Sequence, residues 1–271
     1  MSDYLPKWHR ELDIFNKIKP VIILEGNVLD SYQYPFEGSV PKGSVLRLEQ
    51  YLHYYFKDAG YQDIVFFDGI RGFYNTCEEG YLQSFASLVN ATISDQQIRA
   101  DFKGRNGTIV RTAITQNTRA TAVVMNFASR YITSPTNMEQ SEIDSYTILL
   151  QASMDAKDVR TPSGILKNIV VIVANKVNDI PAWFYLDNPN VKNILLRTPS
   201  KEEREQLVKS VRFPSFFAND IYVEESPYYQ EHPEELEKIQ DKFIGMTEGF
   251  SFTELNGLRR LAKNQRIHIR N

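Results

Sequence analysis

Five short apolar runs constrain this chain more than any other feature: Val21-Ile22-Ile23-Leu24, Asp63-Ile64-Val65-Phe66-Phe67, Ala122-Val123-Val124-Met125, Ile169-Val170-Val171-Ile172-Val173, and the stretch 191–196. They are rich in β-branched residues and apolar on both faces of an extended backbone. That pattern suits parallel strands covered by helices on each side. The segments between them carry helical spacing. Val45, Leu48, Leu52, Tyr55, Phe56 and Ala59 fall on one face, with Gly60 as a C-terminal stop. Leu82, Phe85, Ala86 and Val89 repeat the pattern, as do Ile143, Tyr146, Leu149, Leu150 and Met154. Strands alternating with helices predict an α/β fold with a mostly parallel sheet.

After Pro199 the β character fades. Ser200-Lys201-Glu202-Glu203 reads as a capping box opening a helix through Leu207, Val208 and Val211. A second box, Ser251-Phe252-Thr253-Glu254, opens a helix carrying Leu255, Leu258 and Leu261. Between them lie an aromatic, proline-rich stretch over 212–234 and a helix near 234–244. Two domains are therefore expected, an α/β subdomain over 1–199 and a helical lid subdomain over 200–271. Residues 93–119, polar and glycine-containing, read as a long exposed connection.

Composition narrows the function classes. A net charge of −3 gives no general attraction for polyanions, so nucleic acid is disfavoured as a partner. The single Cys77 cannot form an internal disulfide, and no apolar run approaches a bilayer span; a cytoplasmic protein is expected. Residues 1–19 carry Trp8, Leu12, Phe15 and Ile18 among charges, helix spacing unlike a signal peptide. His9, His53, His232 and His268 are scattered, with no zinc-ligand spacing, so no metal is expected.

Several strings resemble the AAA+ ATPases. Val171-Ile172-Val173-Ala174-Asn175 looks like that family's fourth strand, with Asn175 at the sensor 1 position. The string from Asn193 through Thr198-Pro199-Ser200 to Arg204 resembles the fifth strand leading into the first lid helix. Thr247-Glu248-Gly249-Phe250-Ser251-Phe252-Thr253-Glu254-Leu255 resembles the start of the last lid helix, the most specific match of the three. Val21 to Val28 and Leu258 to Asn264 resemble more narrowly the N-terminal, P-loop-less AAA-like domain of some Clp-type ATP-binding subunits. The resemblance implies a five-stranded AAA+-like P-loop NTPase sheet flanked by helices and followed by an all-helical lid. It also implies that the chain is a portion of a longer protein that continues into a functional ATPase module.

Hydrolysis on that fold needs G-x-x-x-x-G-K-[ST], whose amides and lysine hold phosphates while the hydroxyl binds Mg²⁺. No such string exists here. The nearest is Gly38-Ser39-Val40-Pro41-Lys42-Gly43-Ser44, with lysine before the second glycine and Pro41 removing an amide. A helix start near Ser44 still offers free amides to an anion, but an ordinary loop and cap is the preferred reading. The third strand ends in Asn126-Phe127 where a magnesium carboxylate and a water-polarising glutamate belong. Neither side chain can do that work. The relic nucleotide positions are thus Gly38, Lys42, Gly43, Ser44, Asn126, Asn175 and Arg197, with no catalytic residue among them. Asn175 reads first as a strand-end asparagine bonding nearby backbone, and Arg197 and Arg204 as surface arginines pairing with Glu202, Glu203 or Glu205. Arg259 and Arg260 fall near a sensor 2 position but read as solvent-face charges. Cys77 reads as an idle thiol, and Phe73-Tyr74, which resembles an aromatic pore loop, as core packing.

The leading expectation is a non-hydrolysing AAA+-like domain for assembly, substrate recruitment or regulation of a larger Clp-type ATPase. Turnover would come from an AAA+ module in the same or a neighbouring chain, with a protein substrate and oligomerisation compatible. One alternative is a switch that binds ATP or ADP weakly without cleaving it. Another is a DNA-replication scaffold like the clamp-loader delta subunit, which counts as weaker because that family adds a helical collar of about 100 residues.

Overall fold

A computed structural model describes residues 4–162, 164–209 and 231–264. The chain divides into two compact units, one of Lys7–Val28 and Glu49–Leu196, the other of Met1–Pro6, Leu29–Leu48 and Arg197–Asn271.

The larger unit holds the sheet. In chain order it contains α1 (Lys7–Phe15), β1 (Val21–Gly26), α2 (Leu48–Asp58, from its second residue onward), β4 (Asp63–Asp68), β5 (Gly72–Tyr74), α3 (Glu79–Leu88), β6 (Gln97–Ile98), α4 (Asn106–Ile114) and β7 (Thr121–Met125). It continues through α5 (Gln140–Asp155), the hairpin β8 (Asp158–Thr161) and β9 (Gly164–Lys167), then β10 (Ile169–Ala174), the short α6 (Ala182–Tyr185) and β11 (Val191–Leu196). The main sheet runs β11-β1-β10-β7-β4-β5-β6. The five apolar runs are its five parallel strands, in register Val21↔Val170, Val21↔Val191, Ile169↔Ala122 and Asp63↔Thr121. Every residue of β4, β7 and β10 is buried. Burying the five aliphatic side chains of 169–173 contributes about 10 kcal/mol, counted against a fully extended unfolded chain. β11 instead alternates exposed and buried toward its end, as befits an edge strand with one covered face.

Two features depart from expectation. The sheet has seven strands, because β5 adds antiparallel to β4 and β6 antiparallel to β5. At three and two residues they are too short for period-2 alternation to register. The stretch 93–119 is no exposed connection: it contains β6 and α4, in which Asn106, Gly107, Ile109, Val110, Ala113 and Ile114 are buried. The α4 sequence, with glycine, threonines and β-branched residues, has weak intrinsic helix propensity. What forms α4 is close packing on α5: a Cβ at Gly107 would press to 3.2 Å on the Ile148 side chain.

The smaller unit contains the hairpin β2 (Ser31–Gln33) with β3 (Val45–Arg47), and helices α7 (Lys201–Val208), α8 (Pro233–Met246) and α9 (Phe252–Asn264). Val208 and Ile244 form its helical core with Leu207, Phe243 and Leu258. The Ser200 box is formed, its hydroxyl accepting the Glu203 amide at 3.2 Å while Glu203 accepts the Ser200 amide at 3.0 Å. The helix expected from Val45 opens at Leu48, because Val45 is committed to the β2–β3 ladder. Val211 and nearly all of the aromatic stretch lie outside the described residues. Among the described residues, no helix is long and apolar enough to cross a membrane, and no group of His, Cys, Asp and Glu has the arrangement to hold a metal ion.

Candidate functional site

In an open parallel sheet, ligands bind beyond the carboxyl ends of the strands, where neighbouring strands send the chain in opposite directions. Here β1 and β10 are neighbours: the chain leaving β1 next enters the sheet at β4, whereas leaving β10 it passes β1 to reach β11. The residues at that switch point are Glu25, Gly26 and Asn175. Gly26, at φ +99°, has no space for a Cβ against the carbonyl of Leu196. Its amide donates to the Asn175 carbonyl at 3.1 Å. The Asn175 amide donates to Ser129 Oγ at 2.8 Å, and its side chain is exposed.

Glu25 spans the switch point. Its Oε2 accepts the Val177 amide at 2.6 Å, and its Oε1 accepts Asn193 Nδ2 at 2.6 Å. The free amide that follows β10, which would suit an anionic ligand, is thus taken by the chain's own carboxylate.

The end of β7 is closed in a similar way. Asn126 is buried, and its amide donates to the Phe67 carbonyl at 2.8 Å. Its Nδ2 donates to Glu49 Oε2 and to the Tyr74 hydroxyl, each at 3.0 Å. Glu49, in the first turn of α2, also accepts the Tyr74 hydroxyl at 3.0 Å and the Thr76 hydroxyl at 2.8 Å. Burial, reinforced by Glu49, pushes the Tyr74 phenol well above its ordinary range, so it stays a donor. Arg71 lies 3.4 Å over the Tyr74 ring and pairs with the buried Asp68 at 2.7 Å. Asp68 in turn caps the Ile70 and Arg71 amides. Phe127 follows Asn126 in a left-handed conformation, φ 57°, with half its surface exposed.

Beside this network, Asn75 fixes a tautomer. Its Oδ1 accepts the Cys77 and Glu78 amides, so its Nδ2 is the atom 3.2 Å from His53 Nδ1. Nδ1 must then be the acceptor, leaving the proton on Nε2, 3.5 Å from Glu78 Oε1. Burial lowers the His53 pKa, and burial together with Glu49 and Glu78 raises the Cys77 thiol to about 11. A thiol held there is a poor nucleophile at neutral pH. Phe73 and Tyr74 are both buried.

The relic positions divide between the units: Asn126 and Asn175 belong to the larger, and Gly38, Lys42, Gly43, Ser44 and Arg197 to the smaller. Gly38 to Ser44 form the loop of the β2–β3 hairpin and do not lead into a helix. The Gly43 amide donates to the Tyr34 carbonyl at 2.8 Å, and the Ser44 amide to that of Pro41 at 3.1 Å. Arg197 is exposed. Arg204 is no surface arginine: it is buried, and its Nη1 donates to the Pro199 carbonyl at 2.8 Å. A position inside the α7–α8 packing draws it to backbone carbonyls instead of its acidic neighbours. Arg259 is half-buried and Arg260 exposed on α9. Glu25, Glu49 and Thr76 carried no signal in the sequence, because each gains meaning only through partners far along the chain.

No sequence among the curated proteins matches this one. Among solved structures, a chain of the E. coli MS115-1 HORMA:CdnC:Trip13 complex aligns with 93% of this chain and 69% of its own length, at 13% identity and a TM-score of 0.44. The sequence profile of the AAA+ chaperone N-terminal Rossmann-like domain matches residues 2–196, which take in the whole seven-stranded sheet and its helices. A sheet of order β11-β1-β10-β7-β4 with helical crossovers, matched across its full extent by that profile, makes this chain a member of the AAA+ chaperone N-terminal Rossmann-like domain family.

Proposed function

We propose that this domain is a non-hydrolysing AAA+-like module that serves assembly, substrate recruitment or regulation within a larger Clp-type ATPase. The observation that carries the reading is the self-occupied carboxyl edge of the sheet. Glu25 and Glu49 stand there, held by the neutral donors of Val177, Asn193, Tyr74, Thr76 and Asn126. Each unit of phosphate charge brought within about 6 Å of a carboxylate costs about 1–3 kcal/mol at effective dielectrics between water and a protein surface. A triphosphate would meet that repulsion twice, with no P-loop lysine to offset it. The Gly43 and Ser44 amides, engaged inside their hairpin, further support the reading of Gly38, Lys42, Gly43 and Ser44 as an ordinary loop. Asn126, Asn175 and Arg197 are then inherited positions without a phosphate duty.

In this reading α7, α8 and α9 form the lid subdomain. The partner is an AAA+ module in the same or a neighbouring chain, the setting is the cytoplasm, and ATP turnover belongs to that module. Calorimetry of the chain with ATP and ADP, with and without Mg²⁺, tests the proposal. The expected result is no binding heat at millimolar nucleotide and no phosphate release. Magnesium-dependent turnover that disappears in Lys42→Ala or Asn175→Ala overturns it.

A further inference from the structure

Within the smaller unit, Asp30 is a buried carboxylate whose two oxygens are both committed. Oδ1 accepts the Thr253 amide at 2.8 Å, the Thr253 hydroxyl at 2.6 Å and the Ser31 amide at 2.8 Å. Oδ2 accepts the Phe252 amide at 3.0 Å. Ser251 takes the next amide, that of Glu254, at 3.1 Å, and Glu254 returns to the Ser251 amide at 2.8 Å. The first three amides of α9, orphaned in any helix, are therefore all satisfied. Two of them are held by a residue more than 200 positions earlier in the chain. A carboxylate at a helix N-terminus combines charge-assisted hydrogen bonds with the favourable end of the macrodipole.

Apolar contacts of α9 begin at the same end and continue to Leu258, which packs on the Val208 and Ile244 core. Phe252 and Leu255 are buried, and the Phe252 ring meets buried Tyr32 of β2 edge-on, with centroids 6.5 Å apart. Leu258 is half-buried, whereas Arg260 and Leu261 are exposed. The first turn of the helix is thus fastened to Asp30 and the hairpin that follows it, while Leu258 rests on the helical core.

We infer that Asp30 is a latch that holds the first turn of α9 against the β2–β3 hairpin, so that this turn comes away from the hairpin when the carboxylate lets go. The docked position of α9 is set by a side chain of the protein itself, and release uncovers the aromatic pair Tyr32 and Phe252. The latch is local to the smaller unit. Its opening leaves the hydrogen bonds of β7 and β10 intact.

Hydrogen exchange read by mass spectrometry on the full chain tests this. Asp30→Asn keeps the shape and removes the charge; the amides of residues 252–258 are expected to exchange about tenfold faster, the size of one lost charge-assisted bond. Amides in β7 and β10 are expected to keep the wild-type rate. Thr253→Val removes only the hydroxyl bond and is expected to speed the same α9 amides about threefold. It carries the test if Asp30→Asn does not fold. Unchanged α9 exchange in the folded variants overturns the latch. So does equal acceleration in β7 and β10, which would mean global loosening.

Discussion

Replacing Asn126 by aspartate puts at the end of β7 a carboxylate of the kind that ATP hydrolysis requires, and the structure predicts that the change harms the protein without conferring activity. Asn126 Nδ2 gives one hydrogen bond to Glu49 and one to Tyr74, each 3.0 Å long. Asn126→Asp deletes both donations and sets two carboxylates against each other. Two like charges about 4 Å apart cost about 1–4 kcal/mol at effective dielectrics of 80 to 20. Glu49 is only half-buried, so the lower part of that range applies. The lost donations add about 1 kcal/mol, since the Tyr74 hydroxyl still has Glu49 to bond. The expected destabilisation is about 2–3 kcal/mol at pH 7, read as a fall in the urea midpoint at unchanged slope. Two controls identify the mechanism. In a Glu49→Gln background the same substitution is expected to cost under about 1 kcal/mol, because the repulsion is gone. The penalty is also expected to shrink as pH falls, because repulsion raises the pair's folded pKa above its unfolded value and the folded variant takes up a proton first. Millimolar Mg²⁺ is expected to recover neither stability nor ATP turnover. An Asn126→Asp protein as stable as wild type, or one stabilised by Mg²⁺, would refute the reasoning and make the end of β7 a latent metal site.

Two further outcomes follow from individual positions. Gly26→Ala is expected to cost about 2–4 kcal/mol in chemical denaturation, since φ is +99° and the added Cβ overlaps the Leu196 carbonyl; a loss under about 1 kcal/mol would show that the β1–β11 junction can yield. Burial lowers the His9 pKa from 6.5 to about 4, with Asp13 partly opposing it. The unfolded chain therefore binds the proton first, so stability is full above pH 6.5 and falls by about 3 kcal/mol as pH drops toward 4. Comparing wild type with His9→Gln between pH 7 and 4.5 checks this, and equal pH slopes would remove His9 from the account.

The parallel sheet was legible in the sequence because its strands are buried on both faces, which forces unbroken apolar runs wherever the chain is read. The helices with a full apolar stripe, such as α5, were legible for a related reason. α4 was not, because what stabilises it is Gly107 pressed on Ile148, a contact that leaves no helical signature in its own residues. The β2–β3 hairpin was hidden inside a loop whose glycines and lysine resemble a phosphate cradle, until Tyr34 and Pro41 are seen to take its amides. At the site, Asn126 and Asn175 could be found because strand ends can be counted off a pattern. Glu49 could not, since nothing near it in the chain foretells that residues 74, 76 and 126 will bring it their donors. Asp30 is hidden in the same way by its distance from Thr253.

The strand order has a consequence for how the protein is made. β1 leaves the ribosome about 150 residues or more before either of its neighbours, β10 and β11. At bacterial-like elongation speeds that is on the order of ten seconds during which an unpaired strand that opens on four apolar residues is available to any other extended chain. Nascent copies on one message hold that strand at high local concentration. The newborn polypeptide thus carries an exposed pairing edge through that interval, one that the finished domain removes by giving β1 a partner on each side.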